Sequence, residues 1–240
     1  MASTNEEKSA IQQEAEDAAL RGDAPKVREC LQHGASLWSN AITLLALQNG
    51  DVETYKVLLD AGDDVNRNMG YIGTPLVSAL RHNHEPLLEF LFSQDLDVNM
   101  GGFGTWLPTV SVAVRYAHDI KWLKAILDRG ARLERTGALH VAAYLGYVDR
   151  MQMLLDYGAD VNEVPFMKVV AFFSHSKKPK PSYSTRGTPL HWAIAGGSVA
   201  AVEMLLTRQP DLDVMNEEEV SAGQSLDAFR ISRAEGCFSV

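Results

Sequence analysis

The chain has 240 residues, 46% of them apolar and 22% charged, with a net charge of −9. Those proportions suit a folded protein with enough chain for a sizeable core, and the acidity argues against general affinity for nucleic acid or anionic membrane, which need Lys and Arg against phosphate. The opening MASTNEEKSA lacks the apolar stretch of a signal peptide, no run approaches the ~20 apolar residues of a membrane span, and two cysteines make no disulfide framework, so we expect an intracellular, cytoplasmic protein.

A pair of apolar residues recurs along the chain at Cys30/Leu31, Leu58/Leu59, Leu91/Phe92, Ile126/Leu127, Leu154/Leu155 and Leu205/Leu206. The spacings are 28, 33, 35, 28 and 51 residues. Twelve residues before the first member of each pair stand Ala18, Ala46, Ala79, Val114, Ala142 and Ala193, small residues that let one helix approach its neighbours. Eight residues before it come Gly22, Gly50, Asn83, His118, Gly146 and Gly197, each suited to a turn that ends a helix. The residue after that turn is Asp23, Asp51, His84, Asp119, Tyr147 or Ser198, and the three aspartates and the serine are good caps for a second helix.

In chain order, we expect no regular structure over 1–8 and a charged opening helix in the first unit, 9–36, with Cys30 as a small core residue and Cys237 free in the tail. The second unit, 39–66, has Ile42 and Leu44 where later units have Pro and His. The third, 73–99, begins GTPL and carries Val77 at the His position, with Pro86 tolerated near the start of its second helix. The fourth, 109–134, is the most divergent, with Val110, Val112 and Val114 at the Pro, His and Ala positions. The fifth, 136–162, reads ALHVAAYLGYVDRMQMLLDYGADVN. An insertion over 165–185, PFMKVVAFFSHSKKPKPSYST, separates it from the sixth unit at 186–216. Thr188 can cap a helix whose first turn holds Pro189. A short amphipathic segment within 217–236 can close the stack, leaving a tail at 237–240.

TPLH at 188–191, followed by Ala193, Gly197 and the Leu205/Leu206 pair, resembles the ankyrin repeat, whose period is about 33 residues. The resemblance implies an all-α solenoid of six stacked antiparallel helix pairs over 9–236, joined by turns or hairpin-like connections, in one domain. It also implies that His140 and His191 make structural hydrogen bonds between neighbouring turns and that partners lie in a concave groove formed by turn tips and first helices.

The groove residues in this register are the two before each inter-helix turn: Leu20 and Arg21, Gln48 and Asn49, Arg81 and His82, Tyr116 and Ala117, Tyr144 and Leu145, Ala195 and Gly196. Aromatic and cationic side chains at its middle are favoured interface anchors. Tyr116 and Tyr144 have the alternative of packing on one another between repeats. The turns add Met69, Tyr71 and Ile72 before the third unit, and Phe103 and Trp106 within GGFGTWLP before the fourth; exposed loops seldom carry such residues without use. In the insertion, Phe172 and Phe173 belong to an apolar half able to fold over the groove as a flap, while SKKPKPS reads as a solvated linker or a weak nuclear-import signal.

The partner-binding candidates are therefore Arg81, His82, Phe103, Trp106, Tyr116, Tyr144, Leu145, Phe172 and Phe173. The leading expectation is a non-enzymatic module for a protein or peptide partner, without cofactor, nucleic acid or membrane. The alternative is an apolar small-molecule or catalytic pocket between flap and groove, with Arg81, His82, Tyr116, Tyr144 and His175 as its polar groups; aromatic tips serving self-association is a third reading. Arg81, His82, His84 and Glu85 are adjacent at a bend and point apart, an arrangement that does not converge on a metal. No Gly-rich phosphate loop, serine-nucleophile elbow, HExxH or paired CxxC occurs.

Overall fold

Each recurring apolar pair sits on the second helix of an antiparallel helix pair, and each small residue twelve positions earlier is on the first. The computed structural model of the chain describes residues 2–100, 108–164, 187–216 and 218–234, which form two compact units, Met1–Thr105 and Trp106–Val240. The first unit contains α1 (Ala2–Arg21), α2 (Ala24–Gln32), α3 (Asn40–Asn49), α4 (Val52–Asp60), a 3-10 turn (Gly70–Ile72), α5 (Pro75–His82) and α6 (Glu85–Phe92). α1, α3 and α5 pack successively in one layer, and α2, α4 and α6 in a second. The second unit contains α7 (Thr109–Tyr116), α8 (Ile120–Asp128), α9 (Ala138–Leu145), α10 (Val148–Asp156), α11 (Pro189–Ala195), α12 (Val199–Thr207) and α13 (Ala222–Ala234). Here α7, α9, α11 and α13 make one layer and α8, α10 and α12 the other.

The architecture is all-α: among the described residues there is no strand, and Met215 and Ser221 share an isolated antiparallel bridge. Ala18, Ala46, Ala79, Val114, Ala142 and Ala193 are all fully buried, which is how the first helices come close enough to stack. The first members of the apolar pairs, Leu58, Leu91, Ile126, Leu154 and Leu205, are fully buried too, and Cys30 nearly so.

Local chemistry fixes the helix ends. Asp23, Asp51, Asp119 and Ser198 accept from backbone N–H groups in the first turns of α2, α4, α8 and α12, satisfying donors that a helix start leaves open. Gly22, Gly50, Gly146 and Gly197 take positive φ, and Asn83 does the same at φ 55°. His118 departs from the expectation. α7 stops on Ala117 in an extended conformation, φ −60° and ψ 123°, so no left-handed residue reverses the chain there. A bulky imidazole pays the left-handed steric penalty that glycine escapes.

Other ends also shift. α1 begins at Ala2, where the sequence led us to expect no regular structure, because extending a nucleated helix adds one hydrogen bond per residue fixed. α3 begins at Asn40, two residues before Ile42, because Ser39 supplies the cap, accepting from Ala41 N at 3.2 Å. α11 ends at Ala195, with Gly196 still right-handed at φ −75° before Gly197 turns.

Candidate partner-binding surface

In the first unit, Arg81 and His82 lie exposed in the last turn of α5. His82 donates from Nδ1 to the Ser78 carbonyl at 2.9 Å, and its ring stacks on that of His84 with centroids 5.6 Å apart and planes 12° from parallel. His84 in turn donates from Nε2 to the Gln48 carbonyl at 2.7 Å, so the stacked pair is anchored to the preceding repeat. This contact is tight: a Cβ on Gly50 would fall 2.5 Å from the His84 ring. Among the described residues no three His, Cys, Asp or Glu side chains are grouped to hold a metal ion.

In the second unit, Tyr116 and Leu145 are half-exposed at the ends of α7 and α9, which pack together. The Arg115 guanidinium lies over the Tyr116 ring at 5.1 Å, a geometry that favours a cation on the ring face. Tyr144 differs from the groove reading. It is only 2% exposed and meets Trp192 edge to face, 6.1 Å between centroids and 77° between planes. The reason is its place beside α11, whose Gly196 comes so close that a Cβ there would lie 2.1 Å from the Tyr144 carbonyl oxygen. Tyr144 is thus a packing residue between repeats. Phe103, Trp106, Phe172, Phe173 and His175 lie outside the described residues, as does the insertion.

The exposed helix ends rest on cross-repeat hydrogen bonds. Asn49 donates to the Leu20 carbonyl at 2.9 Å, closing the end of α1. His84 does this for α3. For α7, which lacks a glycine stop, Arg150 reaches over from α10 and donates to the Val114 carbonyl and, at 2.5 Å, to the Ala117 carbonyl. Its guanidinium also lies 4.8 Å from the Tyr147 ring centre, and burial pulls its pKa below the usual range.

Two buried histidines do the same work on the turn side. His140 donates from Nε2 to the Glu163 carbonyl at 2.8 Å, and His191 from Nε2 to the Val220 carbonyl at 3.1 Å. The free Nδ1 of His191 accepts from Thr188 N at 3.1 Å, so the imidazole takes the place of the usual acidic partner in a capping box. Burial lowers the pKa of both, that of His140 to about 4, and both rings are neutral at pH 7. Both hold adjacent repeats together.

An ankyrin-repeat family model matches residues 136–164 and 187–217, the stretches that contain these two histidines. These two stretches are ankyrin repeats. The human ASB11 ankyrin repeat domain superposes with a TM-score of 0.60 at 20% identity, covering 87% of this chain and 89% of that one. The ankyrin repeat domain of Bcl-3, described as a unique member of the IkappaB protein family, gives a TM-score of 0.64 at 20% identity over 90% of this chain and 97% of that one. Transient receptor potential cation channel subfamily A member 1 from Homo sapiens is 22% identical over 189 residues, and the match takes in 75% of this chain but 16% of the channel's own length. Among the described residues of these ankyrin repeats, no helix is long and apolar enough to cross a membrane.

Sequence reasoning missed two kinds of residue on the ankyrin scaffold. Arg150 was passed over because its role depends on α7 ending without a left-handed residue. Trp38, on the turn between α2 and α3, is 94% exposed; the rule that singled out Trp106, an aromatic in a turn, applies to it equally. Two crevices among the described residues, of about 310 Å³ between α12 and α13 and about 220 Å³ between α2 and α4, involve none of the groove candidates.

Proposed function

We propose that this protein is a non-enzymatic interaction module that binds a protein or peptide partner through the exposed ends of its first helices and the adjoining turns. The observation that carries this reading is the contrast at those ends. Arg81, His82, Tyr116 and Leu145 present aromatic, cationic and apolar surface, while the backbone beneath α7 is pinned by Arg150, and His84 ties the α5–α6 turn to α3. Side chains on a fixed backbone lose little freedom on binding, which favours affinity. Phe103, Trp106, Phe172 and Phe173 are further contacts for the partner in this proposal. The buried histidines support a scaffold role, because each donates from Nε2 to a backbone carbonyl of the next turn.

Affinity capture from the native cell tests the reading. The intact chain retains a partner, and a variant carrying Arg81→Ser, His82→Ser and Tyr116→Ser loses it while melting at the same temperature. Undiminished capture by that variant would overturn the proposal.

A further inference from the structure

Trp38 stands 94% exposed, so its indole adds nothing to the core. Tryptophan is among the side chains that interfaces use most as anchors. The backbone that carries it is held on several sides. Ser36 N donates to Gln12 Oε1 at 2.7 Å, and Trp38 N donates to Ser36 Oγ at 3.1 Å. The Leu37 carbonyl accepts from Arg67 Nη2 at 2.6 Å. Arg67 is itself fixed by Asp63 at 2.9 Å, and that carboxylate, 2% exposed, also accepts from Thr43 Oγ1 at 2.7 Å. An exposed ring on so constrained a turn is already ordered for contact.

Charge decides what that contact is. The first unit holds 16 of the 31 acidic and 7 of the 22 basic side chains, a net −9, whereas the second is balanced at 15 and 15. The turns that follow Trp38 present the exposed Asp64, Asp95 and Asp97. They form one edge: Arg67 ties the turn after α4 to that of Trp38, and Asn66 donates to the Asp95 carbonyl at 2.9 Å while accepting from Asp97 N at 2.8 Å. Arg67, the cation within these turns, is already neutralised by Asp63.

We infer that this row of turns is a docking edge for an extended basic protein segment, one Lys or Arg of which stacks on the Trp38 indole while its neighbours face Asp64, Asp95 and Asp97. A cation over an indole face is the strongest of the cation–aromatic pairs, and the surrounding carboxylates steer such a segment and reject acidic ones. The inference rests on the protein-binding reading above and adds the chemistry of the partner and a second surface.

The test is fluorescence anisotropy of the full chain with a labelled peptide of Lys, Arg and Ser, beside a counterpart with Glu for each cation. The basic peptide binds and the acidic one does not. Trp38→Ser weakens binding about 10-fold without moving the melting temperature. Asp64→Asn, Asp95→Asn and Asp97→Asn together weaken it and flatten its salt dependence, while Asn keeps the acceptors that Asn66 N and Asn99 N use. Equal binding by natural and Trp38→Ser chains, binding of the Glu peptide, or no binding at all overturns the inference. Binding that emerges only with Lys177→Gln, Lys178→Gln and Lys180→Gln assigns the edge to the chain's own basic segment, and self-association abolished by Trp38→Ser assigns it to a second copy; either overturns the partner named here. If the basic peptide fails while capture that depends on Arg81, His82 and Tyr116 persists, this inference falls and the protein-binding reading stands.

Discussion

Arg150 on α10 finishes a helix that belongs to the repeat before it, its guanidinium donating to the Ala117 carbonyl at 2.5 Å. The carbonyls at the end of α7 have no left-handed reversal to tuck them in, and Arg150 closes them with charged donors in a fork. Hydrogen bonds to charged groups contribute more than neutral ones, so Arg150→Ala is expected to destabilise the protein by about 3 kcal/mol. Arg150→Lys should recover less than half of this, since a point ammonium does not span two carbonyls. Urea midpoints at unchanged slope measure it, and an Arg150→Ala midpoint equal to that of the natural chain would refute the role.

Acid should loosen the second unit first. His140 is neutral and buried, with a pKa of about 4 against an ordinary 6.5, and burial lowers His191 as well. Because the folded-state value is depressed, the unfolded chain binds more protons between these pH values, and stability is complete above about pH 6.5 and lost as pH falls toward 4. For His140 the loss is about 3 kcal/mol over that window. A melting series from pH 7 to pH 4.5 should therefore fall steeply for the natural chain and less steeply for His140→Gln. Parallel curves would remove His140 as the cause.

The two adjacent glycines after α11 should respond differently to the same methyl group. At Gly196 the φ is an ordinary −75°, but a Cβ would lie 2.1 Å from the Tyr144 carbonyl oxygen, against backbone that has no flexible end to move. At Gly197 the φ is +70° and the space around a Cβ is open. Gly197→Ala is expected to cost about 1 kcal/mol, the left-handed penalty alone. Gly196→Ala should cost several times more by forcing α9 and α11 apart, and a smaller effect at Gly196 than at Gly197 would contradict the packing described.

Tyr55 offers a substitution that should do no harm. It is fully buried against Phe90, 6.3 Å between ring centres, and its hydroxyl has no hydrogen-bond partner among the described residues. Burial pushes its pKa upward. Tyr55→Phe removes a desolvated polar group and should leave stability unchanged or raise it by about 1 kcal/mol. A loss of more than that in calorimetry would show that the hydroxyl is bonded after all.

These expectations also show where the chain was legible. Ala18, Ala46, Ala79, Ala142 and Ala193 recur because first helices must touch, and Asp23, Asp51, Asp119 and Ser198 because a helix start needs an acceptor; both constraints are local and repeat, so they survive in the sequence. Tyr144 was legible as an aromatic at a helix end, open to the groove or to packing on Tyr116, but not as a neighbour of Trp192 and Gly196, which lie more than 45 residues away on the far side of an insertion. Arg150 looked like any exposed charge on a second helix until α7 was seen to end without a turn residue. The surface pair Arg81 and His82 was legible from register alone, though the stacking of His82 on His84 was not.

Whether the exposed helix ends bind a protein partner is read by quantitative capture from the native cell with the intact chain and with the Arg81→Ser, His82→Ser, Tyr116→Ser variant, melting temperatures being recorded alongside. Capture by the variant should fall at least about 10-fold at an unchanged melting temperature, as it does when interface anchors are removed from a fixed scaffold. Equal recovery of the same partner by both proteins would contradict it.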